Sequence, residues 1–184
     1  MPKPRTSALI LIILAAAATR LLPHPPNMTS ITALALFGGA YFTRSWLAFF
    51  VPLAALALSD LVLGLYWSWS MMAFQPHMWV QYLAFSLVVM IGLSLRGRTS
   101  AARVAAMTLA SSVTFFVVTN FGEWVFQPWY PKTGEGLVAA YIAAIPFFRN
   151  SLIGDFAYVA LLFGGMRVLE SRFTMMRTPE LPIP

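Results

Sequence analysis

Nine side chains able to carry charge or hydrogen-bond interrupt a largely apolar sequence: His24, Asn27, Asp60, His77, Asn120, Trp124, Arg149, Asn150 and Asp155. Asp60, Asn120 and Asp155 fall inside apolar stretches. An ionised group within a membrane span costs at least ~2.5 kcal/mol on insertion scales, so it normally faces a partner or a water-filled cavity. Arg20 and Arg149 are the candidate counter-charges for Asp60 and Asp155. Two readings stay open: ion pairs that tie helices together, or a polar cup that holds a ligand. Asn120 and Trp124 are four residues apart, as are His77 and Gln81, so each pair shares a helix face. An aromatic ring beside an amide or imidazole suits a ligand with a flat apolar body and polar edges. His24 sits in a proline-stiffened stretch that can hold a side chain over a pocket at low entropic cost. His77 follows Pro76 at a helix start, where capping or headgroup contact competes with ligand binding.

Other chemistries lack their residues. There is no His-Glu-x-x-His, no Gly-x-Ser-x-Gly and no phosphate-cradling Gly-x-x-x-x-Gly-Lys. With two histidines and no cysteine, a transition-metal site built by the protein alone is not expected. The chain therefore reads as a non-enzyme without a cofactor, and any active transport would draw on a partner or a gradient. An intramembrane acid or base at Asp60 or Asp155 is the minor alternative.

Composition decides what must position these residues. Of 184 residues, 59% are hydrophobic and 10% charged, with mean hydropathy +0.75. A soluble domain carries about a quarter charged residues, so lipid must cover this chain. The net charge of +6 does not indicate nucleic acid, because the basic residues flank apolar runs instead of clustering on one solvated face. Apolar segments run over 7–22, 31–42, 46–66, 78–95, about 105–121 and 156–168, with a short, partly embedded apolar piece at 137–148. Lys3 and Arg5 ahead of Ala8–Ala18 also resemble a signal peptide, but the apolar run continues to Leu22 and reads better as a retained span.

Charge fixes the expected topology. With the N terminus in the cytoplasm, Lys3, Arg5, Arg44, Arg96, Arg98, Arg103, Arg167, Arg172 and Arg177 fall inside, and Arg20, Lys132 and Arg149 outside. Nine against three obeys the positive-inside rule and requires six spans with both termini cytoplasmic. The expectation is an all-α bundle of about six transmembrane helices over residues 1–173 in a bacterial inner membrane, followed by a disordered tail at 174–184.

Asp60, Asn120 and Asp155 then lie roughly 21, 25 and 18 Å above the cytoplasmic arginines at 1.5 Å rise per residue. The chemistry is thereby sorted into the outer half, and Trp67, Trp69, Trp79, Trp124 and Trp129 form an outer aromatic belt. Small residues at Ala33, Ala35, Gly38, Gly39 and Ala40 allow close helix approach.

The blocks Arg20-Leu-Leu-Pro-His-Pro-Pro-Asn27 and Ile31-Thr-Ala-Leu-Ala-Leu-Phe-Gly-Gly-Ala40 resemble an uncharacterised bacterial membrane family, itself similar to the S components of energy-coupling-factor vitamin transporters. Ser59-Asp60-Leu-Val-Leu-Gly64, Thr119-Asn-Phe-Gly122 and Ala144-Ile-Pro-Phe-Phe-Arg-Asn150 are further blocks of the resemblance. It implies an S-component-like six-span fold that binds a vitamin in its outer half and works with an energising module. The closest group is the solitary, cobalamin-type (BtuM-like) one, some of whose members use a cysteine as cobalt ligand before the fourth span. This chain has no cysteine, which leaves His77 as the replacement ligand the resemblance implies. The competing expectation is an assembly protein whose polar outer half docks a partner.

Overall fold

The computed structural model describes residues 4–67 and 76–177, apart from the side chains of Tyr66, Trp67, Pro76 and His77. The described residues form six helices and no strand: α1 Pro4–Ala18, α2 Ile31–Tyr41, α3 Ser45–Trp67, α4 Pro76–Leu93, α5 Ala101–Phe126 and α6 Gly134–Arg172. Short 3-10 turns follow α1 at Thr19–Leu21 and α6 at Thr174–Met176.

Four helical segments are long and apolar enough to cross a membrane: Pro4–Leu21, Ser45–Leu65, Ala101–Phe126 and Gly134–Arg172. Only 22–39% of the residues in these spans are buried. Their remaining surface carries side chains such as Leu11, Phe50, Phe126 and Leu161, exposed by more than half. An outer surface of that kind is compatible with a membrane. The other two helices are shorter. The 11 residues of α2 rise only about 16 Å, half the hydrocarbon thickness, and every one of them is buried.

Helix α2 is the axis of the bundle, with α1, α3, α4, α5 and α6 all packed on it. Its small residues make that possible. A Cβ on Gly39 would stand 2.4 Å from the Val89 carbonyl oxygen and 2.8 Å from the Gly92 Cα, so the α2 and α4 backbones touch. A Cβ on Gly38 would meet the ring of Pro52 on α3 at 2.5 Å. The close approach expected from Ala33 to Ala40 is therefore real, and Gly92 is its partner.

The sequence differs from the structure in its last third. The apolar pieces at 137–148 and 156–168, with Arg149-Asn150-Ser151 between them, belong to one 39-residue helix. Pro146 lies inside it. Asp155 meets Ser112 of α5, yet Tyr141 reaches the Val117 carbonyl. Fourteen residues along α6 thus match five along α5, about 21 Å against 8 Å. The first half of α6 consequently slants across α5, and the proline is the identifiable cause of such a bend. Thr133 caps this helix by accepting from the Gly136 amide. At the far end the chain continues into the 3-10 turn, whose Met176 carbonyl accepts from Arg5. Residues 178–184 of the expected tail lie outside the described part.

Both ends of the described chain meet at one end of the bundle. Arg5 donates to the carbonyls of Tyr41 (2.9 Å) and Met176 (3.0 Å) and stands 3.8 Å from Glu170. Arg96 donates to the Gly39 carbonyl and to Ser45, and Arg167 to the Thr99 carbonyl. Phe37, Tyr41 and Phe163 fill the interior beside them, with ring centroids 4.7–5.5 Å apart.

Candidate functional site

The opposite half of the bundle is hollow. Along α5, Ser112, Phe115, Phe116, Thr119, Asn120 and Glu123 recur at spacings of three and four, which places them on one face. Along α6, Ala144, Phe147, Phe148, Ser151 and Asp155 do the same. Apart from Glu123, the two stripes line a cavity of about 90 Å³ with Asn27. It shares six lining residues with a larger space of about 400 Å³, bounded also by Arg20, Thr29, Ile31, Thr32, Gln81 and Glu123. Four helices, the 3-10 turn that carries Arg20 and a loop thus converge on one two-lobed cavity.

Its floor is Asp155, 2% exposed. One carboxylate oxygen lies 2.6 Å from the Ser112 hydroxyl, and Thr32 of α2 also faces the carboxylate. Beneath it lie the buried hydroxyls of Thr108 and Ser111, then apolar side chains toward the basic end. The expected pairing of Asp155 with an arginine does not occur: a hydroxyl occupies that position. Arg149 is exposed on the outside of α6, because it falls on the face away from the stripe of Phe148, Ser151 and Asp155.

Asp60 does find Arg20, at 2.8 Å. The same guanidinium donates to the Ser59 hydroxyl, which itself donates to the Leu56 carbonyl at 2.8 Å. The pair ties the end of α1 to α3, and Arg20 forms part of the cavity wall while Asp60 stands behind it. The second carboxylate oxygen of Asp60 is buried without a hydrogen bond among the described residues.

A loop over residues 22–30 closes one side. Asn27 adopts a left-handed conformation, φ 61°, which asparagine tolerates better than most residues. Asn150 donates to the Pro26 carbonyl and Ser151 to the Asn27 carbonyl, each at 3.1 Å. Met28 seats on Gly154, where a Cβ would come within 3.1 Å of its side chain. Asn150, Ser151 and Gly154 are therefore the dock for this loop, and Asn150 supports the site without lining it.

The sequence-derived residues divide accordingly. Asn27, Asn120 and Asp155 line one cavity, and Asp60 and Asn150 hold its walls. His24 is exposed, its ring nitrogen 3.0 Å from the neighbouring Pro25 carbonyl. Trp124 shares a helix with Asn120 but fastens the α5–α6 loop, donating to the Pro131 carbonyl at 2.9 Å with Lys132 5.6 Å from its ring. The side chain of His77 lies outside the described residues. Among those residues no cluster of three metal-ligating side chains occurs. Sequence reasoning missed the α5 stripe of Ser112, Phe115, Phe116 and Thr119, along with Ser151. The signal was present as polar positions at spacings of three and four through a helix otherwise apolar all round.

The model of a protein family of unknown function, DUF6580, matches residues 1–180. No curated protein matches the chain, and no solved structure does.

Proposed function

This chain belongs to the family of unknown function DUF6580, and on that footing we propose that it captures a small, vitamin-like solute as a membrane transporter or as the binding subunit of one. The observation that carries the proposal is the two-lobed cavity. Its larger lobe of about 400 Å³ is lined mainly by amides, hydroxyls and charged groups, and its smaller lobe of about 90 Å³ carries four phenylalanines. That mixture, at that volume, is what small-molecule sites have in common: an apolar body with a few placed polar groups. The volume suits a single heteroaromatic ring system with short substituents better than a corrin macrocycle, so cobalamin is the less favoured solute.

Orientation follows from charge. The end carrying Arg5, Arg96 and Arg167 lies in the cytoplasm by the positive-inside rule, and the cavity opens outward from a bacterial inner membrane. The S-component-like reading rests on the sequence blocks at 20–40, 59–64, 119–122 and 144–150, and it adds an energising module as partner, because this chain carries no nucleotide-hydrolysing motif.

Thermal stabilisation of the detergent-solubilised protein across a vitamin library, cobalamins included, tests the proposal. A bound solute raises the melting temperature, and Asn120→Ala weakens its affinity by about tenfold, the loss of one hydrogen bond in a desolvated site. If no compound stabilises the protein and a stoichiometric protein partner is captured instead, the assembly reading replaces this one.

A further inference from the structure

The charges around the cavity do not cancel. Arg20 is committed to Asp60 at 2.8 Å. Glu123, exposed at the mouth, and Asp155, buried in the floor, have no basic partner among the described residues. Phe115 lines the same space as both acids, Phe116 and Phe148 line the smaller lobe beside Asp155, and aromatic faces attract cations. A buried carboxylate left ionised without a counter-charge is costly, so either it holds a proton or something in the cavity supplies the positive charge.

The hydrogen bonds around Asp155 accommodate both states. The Ser112 hydroxyl lies 2.6 Å from the Asp155 carboxylate and 3.0 Å from the Thr108 carbonyl. It has one hydrogen and cannot give it to both. When Asp155 is protonated, it donates to Ser112 and Ser112 donates to Thr108. When Asp155 is ionised, the Ser112 hydrogen turns to the carboxylate, and the Thr108 carbonyl keeps its backbone partner in the helix. Neither state leaves a group unbonded, but the ionised one adds a negative charge to the cavity floor.

We infer that the solute is a small organic cation and that Asp155 releases its proton to bind it. The inference rests on the cavity reading above. The exchange balances as a neutral carboxylic acid plus cation giving a carboxylate–cation pair plus one proton, which leaves through the water of the open cavity. The groups facing Asp155 are Ser112 from α5 and Thr32 from α2, and the other charges on the cavity are Arg20, with Asp60 and Tyr82 behind it, and Glu123. One proton released per cation bound makes affinity rise by up to about tenfold per pH unit while Asp155 is still protonated in the empty site.

Benzamidine, benzamide and benzoate are one shape in three charge states and serve as probes, alongside a solute library sorted by charge. Calorimetry on the full chain in nanodiscs, between pH 6 and pH 8 and in two buffers of different ionisation enthalpy, measures affinity and counts protons. The expected result is benzamidine bound about tenfold more tightly than benzamide at pH 8, with benzoate weakest and affinity for benzamidine falling toward pH 6. Asp155→Asn, which keeps the shape and the Ser112 contact, reduces the preference below about threefold and removes the pH dependence. Glu123→Gln, at the exposed mouth, lowers the preference by about twofold and leaves the pH dependence in place. If Asp155→Asn does not fold, the wild-type charge preference and proton count decide alone. Equal or tighter binding of neutral or anionic solutes, or a preference that survives Asp155→Asn, overturns the inference while leaving the cavity reading intact. Failure of every solute in the library to bind overturns both.

Discussion

At the basic end Arg5 and Arg96 donate to the last carbonyls of α2, whereas at the other end Arg20 turns to a carboxylate and Asp155 faces open space. The difference has a structural origin. A helix of 11 residues leaves its last four carbonyls without intrahelical partners, and because α2 is buried throughout, water cannot reach them. Arginines satisfy those of Gly39 and Tyr41, while the Phe42 amide takes that of Gly38, and the arginines also complement the negative end of the helix dipole. Charge at this end completes the backbone and closes the bundle. At the other end the loop over 22–30 is satisfied by Asn150 and Ser151, and polar side chains of α5 and α6 line a cavity. One end is a plug and the other a receptacle.

Both ends depend on α2, and the first prediction breaks the comparison by removing their common axis. Gly39→Leu forces a side chain into the 2.4 Å gap against the Val89 carbonyl, where backbone cannot yield. The expected loss is about 3 kcal/mol or more, read as failure to fold or as a large drop in unfolding midpoint in mixed micelles. A near-wild-type midpoint would mean that α2 and α4 do not approach as described.

The second prediction concerns the receptacle's wall. Asp60→Asn leaves the Arg20 guanidinium without its charge partner in a largely buried setting, and costs about 3 kcal/mol. Arg20→Met combined with Asp60→Leu recovers most of that loss, because an apolar pair of similar volume removes both desolvation penalties. Chemical unfolding of the three variants measures the coupling. If the double variant is as unstable as Asp60→Asn, the pair contributes through something other than charge.

The sequence made the plug and receptacle legible as a sorting of charge by depth, since basic residues bracket apolar runs and single acids interrupt them. It also pointed to Arg20 as one of two partners for Asp60. It misjudged α6, because Pro146 and Arg149-Asn150-Ser151 look like a break in any linear reading. In a packed apolar setting proline is tolerated inside a helix, and Arg149 lies on the outer face while Ser151 and Asp155 turn inward. The face of α5 was harder. A helix apolar all round offers no contrast between faces, so Asn120 alone did not reveal whether Glu123 or Trp124 continues its stripe. Packing against α6 settles that, and it requires contacts between residues 24 to 43 positions apart.

A smaller effect tests the plug by itself. Arg5→Met removes the donors to the Tyr41 and Met176 carbonyls and the contact with Glu170. The Tyr41 carbonyl at the buried end of α2 and the part-buried Met176 carbonyl of the 3-10 turn lose their donor, at a cost of about 2 kcal/mol. Solute affinity should not change, since none of these groups touches the cavity. Calorimetry beside an unfolding curve separates the two quantities, and a matching fall in affinity would mean that the ends are coupled through α2.

Ser151→Ala gives the smallest expected effect and sharpens the contrast most. Ser151 donates to the Asn27 carbonyl at 3.1 Å and shares its hydroxyl with the Phe147 carbonyl at 3.2 Å. Its loss leaves α6 intact, because backbone bonding does not depend on it, but frees the loop at the point where Asn27 holds a left-handed conformation. About 1 kcal/mol is lost, and it is lost locally: Asn150 still anchors Pro26 and Met28 still rests on Gly154. Hydrogen exchange over 22–30 should quicken by about fivefold, with the global unfolding midpoint nearly unchanged and solute dissociation faster. At the plug a lost hydrogen bond lowers the stability of the whole bundle, whereas here it changes only how long the receptacle stays closed. Should exchange quicken throughout the bundle instead, the loop would be a structural strut and the two ends would not differ in kind.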